Sequence, residues 1–252
     1  MSRNTVERRE LIKELLIKNG SINSSDASSR FSVSTETIRK DLIFLEREGI
    51  AKKSYGGAVI STDYIETPVD LRNDKNVESK TRIAKKAMEF VPQSGVILLD
   101  AGSTTSLLAK ELFSREGLTV ITNSISVCNI LCSSKNMVYI LGGQVKNVTM
   151  SLVGLWANSA LSSVNIDVAF LGTSGFASFS GPSAESFPEA ELKKHILTRC
   201  NQSIVLADSS KCKTNALTQY AQWSEVDYLI IDNPIDKELC YKLQQSVSLI
   251  LA

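Results

Sequence analysis

The segment 96–112, VILLDAGSTTSLLAKEL, places hydroxyl and carboxyl side chains between an apolar run and a helix-like pattern. Backbone N–H groups at the start of a helix have no intrahelical partner and lie at the positive end of the helix dipole. Together with Ser and Thr hydroxyls, they favour an anion such as a phosphate. The alternative is purely local, in that Ser103 or Asp100 only caps the helix and Gly102 only permits a turn. This segment alone leaves both interpretations open.

Short apolar runs recur after this point of the chain and are separated mostly by segments of helix length. They lie at 96–99, 119–121, 137–141, 168–171, 203–207, 228–231 and 247–251. Continuous apolar runs that alternate with helices are typical of a parallel sheet covered on both faces. We therefore predict an α/β fold with an open, mainly parallel sheet.

Small and polar residues follow most of these runs, at 100–105, 122–124, 142–143, 172–175, 208–211 and 232–233. In open α/β sheets, ligands bind at the carboxyl ends of the strands, where such loops meet. Lys211 follows a strand and two serines, so it can add a full positive charge to the helix-end dipoles. The segment 96–112 is therefore expected to form one wall of a pocket.

The first sixty residues predict three short helices joined by tight turns. The first covers 6–18, with Leu11, Ile12, Leu15 and Leu16 on one stripe, and the second begins near Asn23 or Ser24. Ser34 can cap the third, in which Ile38, Leu42 and Leu45 recur at helical spacing and can face a core. Three helices in this arrangement are typical of a helix-turn-helix domain.

The amino-terminal half of such a third helix enters the major groove of DNA. Thr35, Glu36, Arg39 and Lys40 are expected on its outer face. The following stretch, IAKKSYGGAVI, alternates like a hairpin and would form a wing with two lysines suited to phosphate contacts. The alternative is a small helical packing module whose charges only solvate its surface.

Other classes of protein are disfavoured by the composition. Hydrophobic residues make up 43% and charged residues 22%, and no segment reaches the roughly 18 apolar residues of a membrane span. The charged start carries no signal peptide, and the five cysteines form no C-x-x-C pair, so a cytoplasmic protein is predicted. Residues 1–60 carry 11 Lys/Arg and 8 Asp/Glu, a basic bias too small to indicate DNA by itself.

Motifs for cofactors and catalysis are also missing from the sequence. There is no G-x-G-x-x-G after a strand and no P-loop, which counts against nucleotide cofactors. The single histidine, His195, lies in AELKKHIL without a partner motif. We therefore predict no cofactor, no metal site and no catalytic residue.

Two sets of motifs resemble the DeoR family of bacterial transcription regulators. VSTETIRKDLIFLEREG followed by YGGAV is similar to the family's amino-terminal winged helix. LLDAGSTT, TVITNS, LGG, VAFLG, EAELKK and VLADSSK are similar to its carboxyl-terminal segment. The resemblance covers nearly the whole chain and implies a sensor domain related in fold to sugar-phosphate isomerases. Such a domain binds a phosphorylated sugar or polyol, which lowers the affinity for DNA.

Both candidate sites follow from the pattern and the resemblance together. The residues predicted to contact DNA are Ser34, Thr35, Glu36, Thr37, Arg39, Lys40, Lys52, Lys53 and Tyr55. Lys40 stands where the family usually has a second arginine, so it is expected to anchor a phosphate rather than read a base. The resemblance implies an effector pocket formed by Asp100, Gly102, Ser103, Thr104, Thr105, Thr122, Asn123, Gly142, Gly143 and Lys211. Ser183 with Ala184, and Cys212, depart from the family pattern of threonines and an aromatic residue.

The predicted organisation is a winged helix-turn-helix domain over 1–60, a linker over 61–78 and an α/β effector-sensing domain over 79–252. The predicted function is a repressor of a carbohydrate-utilisation operon, a homodimer or homotetramer on double-stranded operator DNA. The alternative is a sugar-phosphate isomerase-like enzyme with an accessory helical domain. In that case Asp100 or Asp208 would act as base and Lys211 as phosphate anchor.

Overall fold

The computed structural model describes residues 3–47, 50–60, 69–177, 180–214, 216–233 and 235–252. The chain forms two compact units, Met1–Thr67 and Pro68–Ala252. Gly49 and the first part of the predicted linker, 61–68, lie outside the described residues. The rest of the predicted linker is largely helical, because it contains the helix Val69–Asn73 and the start of the helix Val77–Ala87.

The first unit contains three helices and a small antiparallel sheet. Its elements are α1 (Arg3–Asn19), β1 (Ser21–Asn23), α2 (Ser24–Phe31), α3 (Thr35–Arg47), β2 (Ala51–Ser54) and β3 (Gly57–Ile60). The three helices and the hairpin agree with the prediction. Strand β1 was not foreseen, and it pairs with β3 to give the strand order β1-β3-β2. Its three residues are too few to leave a period in the sequence.

Local signals explain where these helices begin and end. The Asn23 side chain accepts a hydrogen bond from the Ser25 N–H at the start of α2, and Ser32 ends that helix in a left-handed conformation. The Ser34 hydroxyl accepts from the Thr37 N–H at 3.1 Å, as expected for a cap. Ile12, Leu16, Ile38 and Leu45 are buried, whereas Leu11 is 48% exposed, so the apolar stripe of α1 is narrower than predicted.

The second unit is an α/β structure. Its helices are α4 (Val69–Asn73), α5 (Val77–Ala87), α6 (Ser103–Leu112), α7 (Ile125–Leu131), α8 (Leu155–Leu161), α9 (Phe187–Leu197) and α10 (Lys237–Gln244). Its strands are β4 (Gly95–Leu99), β5 (Glu116–Thr122), β6 (Lys135–Ile140), β7 (Gln144–Lys146), β8 (Ser151–Val153), β9 (Ile166–Gly172), β10 (Ser183–Ala184), β11 (Cys200–Ala207), β12 (Thr218–Gln219), β13 (Tyr228–Ile231) and β14 (Ser248–Leu251).

Seven of these strands form one parallel sheet in the order β14-β13-β11-β9-β4-β5-β6. They correspond to the seven predicted apolar runs. Two short antiparallel pairs, β7 with β8 and β10 with β12, were not predicted. From β4 the chain proceeds through β5 and β6 toward one edge, then returns to β9 on the other side of β4. The direction of winding therefore reverses between β4 and β9, and a crevice is expected there at the carboxyl ends.

Both faces of this sheet are covered. One core contains residues of α5, α6 and α7 together with Ile97, Leu99 and Phe170 of the sheet. The other contains residues of α8, α9 and α10 together with Leu98 and Leu171. Neighbouring strand residues point to opposite cores, as the pleat requires. Among the described residues, no helix is long and apolar enough to cross a membrane.

Candidate functional site

Helix α3 separates a buried face from an exposed one. Ile38, Asp41, Leu42 and Leu45 are buried. The predicted DNA-contacting residues lie at its amino-terminal end, where Ser34, Thr35, Glu36, Arg39 and Lys40 are exposed and Thr37 is half-buried. The Ser34 and Thr37 hydroxyls lie 2.8 Å apart, so these two residues also hold the helix start in place.

The hairpin of β2 and β3 presents the remaining predicted residues. Lys52 and Lys53 are exposed on β2, and the Tyr55 side chain is fully exposed at the tip of the turn. Gly56 adopts a left-handed conformation with φ of 77°, which closes this turn. Arg39 of α3 and Lys53 of the hairpin line the same groove. A cation on each side of one groove suits a polyanion such as the DNA backbone.

A buried charge cluster fixes α3 against α1. The two carboxylate oxygens of Asp41 accept hydrogen bonds from Nε of Arg8 and Nε of Arg9, both at 2.7 Å. The Asp41 side chain is only 2% exposed, and the Arg9 guanidinium lies 4.0 Å from the centre of the Phe44 ring. Two of the arginines that give this unit its excess of basic residues therefore pair with a carboxylate inside the unit.

In the second unit, a polar cavity lies at the carboxyl ends of β4, β9 and β11. It is lined by Arg72, Lys80, Ala101, Gly102, Ser103, Thr104, Thr105, Gly172, Thr173, Ser174, Glu189, Lys193, Leu206, Ala207, Asp208 and Lys211. Five of the ten predicted effector residues are among them, namely Gly102, Ser103, Thr104, Thr105 and Lys211. The cavity spans the crevice where the winding of the sheet reverses.

The start of α6 forms one wall of this cavity. Gly102 occupies the capping position, and as a glycine it supplies no side-chain cap to the first-turn N–H groups. The Thr105 and Ser106 hydroxyls both donate to the Gly102 carbonyl, at 3.0 and 2.7 Å. Ser103 therefore does not cap the helix, and the local interpretation of this serine is not supported. The helix start remains able to bind an anion.

Three cations face the cavity without an ion pair to any residue that the structure describes: Arg72, Lys80 and Lys211. Burial lowers the pKa of Lys80 to about 8, and it also lowers the pKa of Lys211, although Asp208 opposes both shifts. The Arg72 Nε and Nη2 atoms are buried and make no hydrogen bond within the described structure. Buried polar groups normally have partners, so this cluster is suited to an anionic ligand.

An ion-paired group forms the opposite wall. Lys193 donates to the Asp100 carboxylate and, at 3.0 Å, to the Gly172 carbonyl. Glu189 lies 3.9 Å from Lys193 and accepts a hydrogen bond from Lys146 at 3.2 Å. Burial opposes ionisation of Glu189, but Lys193 and Lys146 outweigh it and lower the pKa of the carboxyl group. The wall therefore offers a carboxylate that can accept hydrogen bonds from ligand hydroxyls.

The other five predicted effector residues are not among those that line the cavity. Asp100 is fully buried behind the wall, where one carboxylate oxygen accepts from the Gly172 N–H at 3.0 Å. The Thr122 hydroxyl donates to the Leu99 carbonyl at 2.6 Å, and the Asn123 side chain accepts from the Ala101 N–H at 3.0 Å. Both residues position the start of the loop after β4 rather than facing the cavity.

Gly142 and Gly143 follow the edge strand β6, two strands from β4. Since neighbouring strands lie about 4.8 Å apart, these glycines start roughly 10 Å away from the end of β4. Gly143 has a φ of 144°, and a Cβ there would lie 2.5 Å from the Val153 carbonyl oxygen. It is required by the approach of β8, and Gly142 faces open space.

Four charged residues of the cavity were missed by sequence reasoning: Arg72, Lys80, Glu189 and Lys193. Glu189 and Lys193 belong to the EAELKK motif, which carried the family resemblance but no assigned role. Arg72 and Lys80 lie on helices rather than in loops after strands, so the pattern gave no signal for them. No group of three or more described His, Cys, Asp or Glu residues is arranged to hold a metal ion.

A winged helix-turn-helix unit joined to an α/β unit with a cation-lined cavity defines a DNA-binding regulator with a ligand-sensing domain. Two family models match the chain: a DeoR-like helix-turn-helix domain over residues 8–63 and a DeoR C terminal sensor domain over residues 75–233. The chain belongs to the DeoR family.

Similar proteins include a putative aga operon transcriptional repressor of Escherichia coli O157:H7. It is 32% identical over 235 residues, which are 92% of this chain and 87% of that protein. The lactose phosphotransferase system repressor of Streptococcus mutans is 33% identical over 238 residues, 92% of this chain and 94% of that protein. Among solved structures, ribose 5-phosphate isomerase A of Methanocaldococcus jannaschii matches with a TM-score of 0.41 and 21% identity, over 54% of this chain and 55% of that one.

Proposed function

We propose that this DeoR-family regulator represses a carbohydrate-utilisation operon and is released from its operator by a phosphorylated sugar or polyol. The observation that carries the proposal is the cavity at the β4–β9 crevice, where Arg72, Lys80 and Lys211 face the start of α6 and form no ion pair with any described residue. Relatives named as repressors of the aga operon and of a lactose phosphotransferase system support a role in carbohydrate metabolism.

The phosphate of the effector would bind between the start of α6 and the Lys211 ammonium. The Ser103 and Thr104 hydroxyls supply further donors beside the first-turn N–H groups. The polyol part would extend toward the Glu189 carboxylate, which can accept hydrogen bonds from ligand hydroxyls. A cationic half and an acidic half in one cavity match a ligand with a phosphate at one end and hydroxyls at the other.

On the DNA side, the start of α3 would read base edges in the major groove while the hairpin lysines bind phosphates. Operators recognised by helix-turn-helix proteins are commonly two-fold symmetric, so we propose a homodimer or homotetramer. The effector would favour an arrangement of subunits that misplaces the two winged helices. It can do so only through a difference in its affinity for the two states. A protein that acts on bacterial operators is expected in the cytoplasm.

We propose that the cavity binds its ligand without turning it over. The first candidate base, Asp100, is fully buried and ion-paired with Lys193. The second, Asp208, accepts hydrogen bonds from the Ser210 N–H at 3.1 Å and from the Asn76 amide at 2.9 Å. Both carboxylates therefore already accept hydrogen bonds from groups of the protein.

The test has two parts, run on the full chain. A thermal-shift screen against pentose, hexose and polyol phosphates should find a ligand, since ligand at 100 times its dissociation constant adds about 2.7 kcal/mol of stability. That ligand should then lower the affinity for an operator selected from random DNA. A chromatographic search for isomerised product should find none. Turnover of the ligand would favour the enzyme, and absence of any stabilising phosphate ester would refute the proposal.

A further inference from the structure

The cavity is narrow for the ligand proposed above. Its free volume is about 40 Å³. Pockets for small organic ligands usually measure about 300–1,000 Å³. We therefore expect part of the wall to move when a phosphorylated sugar enters.

The walls of the cavity differ in how firmly they are held. The loops after β4, β9 and β11 continue from central strands of the seven-stranded sheet. Helix α4 has only five residues and lies outside the sheet, where it packs on α6. It is held by the buried side chain of Val69 and by the Val69 N–H, which donates to the Val148 carbonyl at 2.9 Å. Of these walls, α4 is the one that does not continue from a strand of the sheet.

The contact between Lys80 and α4 depends on what occupies the cavity. The Lys80 ammonium donates to the backbone carbonyl of Arg72, near the end of α4. An anion in the cavity would compete with that carbonyl for the ammonium group. The Arg72 guanidinium has two buried nitrogens that bond to no described residue, and it lies beside Lys80 and Lys211. An anion would satisfy those nitrogens and relieve the repulsion among the three cations.

Helix α4 lies close in sequence to the boundary between the two compact units. Helix α4 begins at Val69, two residues after the boundary between the compact units at Thr67. Helix α4 is therefore the first described element of the second unit after that boundary.

We propose that α4 is the movable wall of the pocket and the element that transmits effector binding. The phosphate of the effector binds the Arg72 guanidinium and the Lys80 ammonium, Lys80 releases the Arg72 carbonyl, and α4 moves outward to admit the ligand. This inference rests on the proposed function. It assigns Arg72 to ligand binding and Val69 to the strength of the coupling between the two units.

The first experiment tests Arg72. Glucose 6-phosphate, ribose 5-phosphate, glycerol 3-phosphate and inorganic phosphate serve as probes, and calorimetry gives the dissociation constant of whichever binds the wild type. Arg72→Gln should raise that constant about 10- to 100-fold, since it removes charged hydrogen bonds to the anion. The matched control is Arg82→Gln, which removes a half-exposed arginine that does not line the cavity. It should change the constant less than twofold.

The second experiment tests α4 as the transmitting element. Val69→Ala loosens the anchor of α4 without removing a cation, and Val77→Ala, at an exposed position of α5, is its control. The measured quantity is the ratio of operator affinity without and with saturating probe. Val69→Ala should reduce this ratio at least threefold, while the control keeps it. Hydrogen exchange of residues 69–76 in the wild type should become faster when the probe binds.

The outcomes separate the two proposals. If no probe binds the wild type, the proposed function fails, and the role of α4 fails with it. If a probe binds and releases the operator but Arg72→Gln and Val69→Ala behave like their controls, only the role of α4 is refuted. Unchanged exchange of residues 69–76 in the presence of the probe would likewise contradict a moving wall.

Discussion

Arg39 and Lys53 lie on the same groove but differ in what their side chains can recognise. The planar guanidinium of Arg39 can bind both acceptors of a guanine edge, whereas the Lys53 ammonium suits a phosphate. We expect Arg39→Ala to weaken operator binding by about 1–3 kcal/mol and to relax discrimination at one base pair. Lys53→Ala should weaken binding to all sequences alike and reduce the salt dependence by about one counterion.

Electrophoretic titrations against the operator and random DNA at several salt concentrations measure both effects. Lys110→Ala, which removes an exposed lysine from the α/β unit, is the control for loss of one positive charge. An equal loss of affinity for operator and random DNA would show that Arg39 reads no base.

Thr104 and Lys211 reach the cavity from two different strands and are expected to meet on one phosphate. Loss of one hydrogen bond to a charged phosphate costs roughly 1.5–3 kcal/mol. Thr104→Ala and Lys211→Ala should therefore raise the effector concentration for half release of the operator by one to two decades. Operator affinity without effector should not change. The control is Lys213→Ala, an exposed lysine two residues from Lys211 that does not line the cavity.

A DNA-binding titration with effector, combined with melting curves, gives the result. If both variants melt like the wild type and respond at the wild-type effector concentration, the phosphate of the effector does not bind at the start of α6.

We expect Lys80 to make effector binding sensitive to pH. Burial lowers its pKa to about 8, and Lys211, Arg72 and Lys75 lower it further, while Asp208 opposes them. A bound phosphate raises the pKa of Lys80, so binding takes up a proton once the pH exceeds about 8. Effector affinity should fall above that pH, and it should fall again below about pH 6, where the phosphate loses its second charge.

The control for the alkaline change is Lys80→Arg, which stays charged throughout. Burial also lowers the pKa of Lys211, so this variant should reduce the alkaline loss of affinity rather than abolish it. Calorimetry between pH 6 and 9, in buffers of different ionisation enthalpy, measures the proton uptake.

The lowered pKa of Lys80 also affects the stability of the free protein. Without effector, the folded state binds fewer protons than the unfolded state between about pH 8 and the ordinary pKa of 10.5. The contribution of Lys80 to the free energy of unfolding therefore rises with pH in that window. Wild-type affinity that is constant from pH 7 to 9 would contradict the role of Lys80.

At the scale of elements, the buried pair of Lys193 and Asp100 ties α9 to the loop between β4 and α6. Removing one partner leaves the other charge buried without compensation, which typically costs about 3–5 kcal/mol. We expect Lys193→Met to lower the free energy of unfolding of the α/β unit by that amount. The double variant Lys193→Met with Asp100→Asn should recover most of the loss.

Urea denaturation of the full chain, followed by a double-mutant cycle, measures the coupling between the two residues. The neighbouring substitution Lys194→Met, at an exposed position of the same helix, is the control. A Lys193→Met protein as stable as this control would show that the pair contributes nothing to the fold.

The sequence predicted the strands of the seven-stranded parallel sheet but not their order. Buried parallel strands are continuous apolar runs, so all seven were visible. Their order depends on the crossover that brings β9 back beside β4, and no local pattern records it. Thr104 and Lys211 follow β4 and β11, which lie at the crevice, so both residues line the cavity. Gly142 follows β6, which the unforeseen strand order puts two strands away from β4. Arg72 and Lys80 reach the cavity from helices, where a cation looks like any solvated residue until the packing is known.

At the scale of the whole molecule, DNA and effector bind to separate compact units, so their influence on each other is a coupling free energy. Such coupling is reciprocal: if effector weakens operator binding by some factor, operator weakens effector binding by the same factor. Coupling of about 1–3 kcal/mol is usual and corresponds to a factor of about 5 to 150. We expect calorimetry with saturating operator to give an effector dissociation constant raised by the factor measured for operator release. Random DNA at the same concentration, bound less tightly, is the control. If the effector binds free and operator-saturated protein equally well although it still releases the operator, release does not arise from the cavity, and the two-state description is wrong.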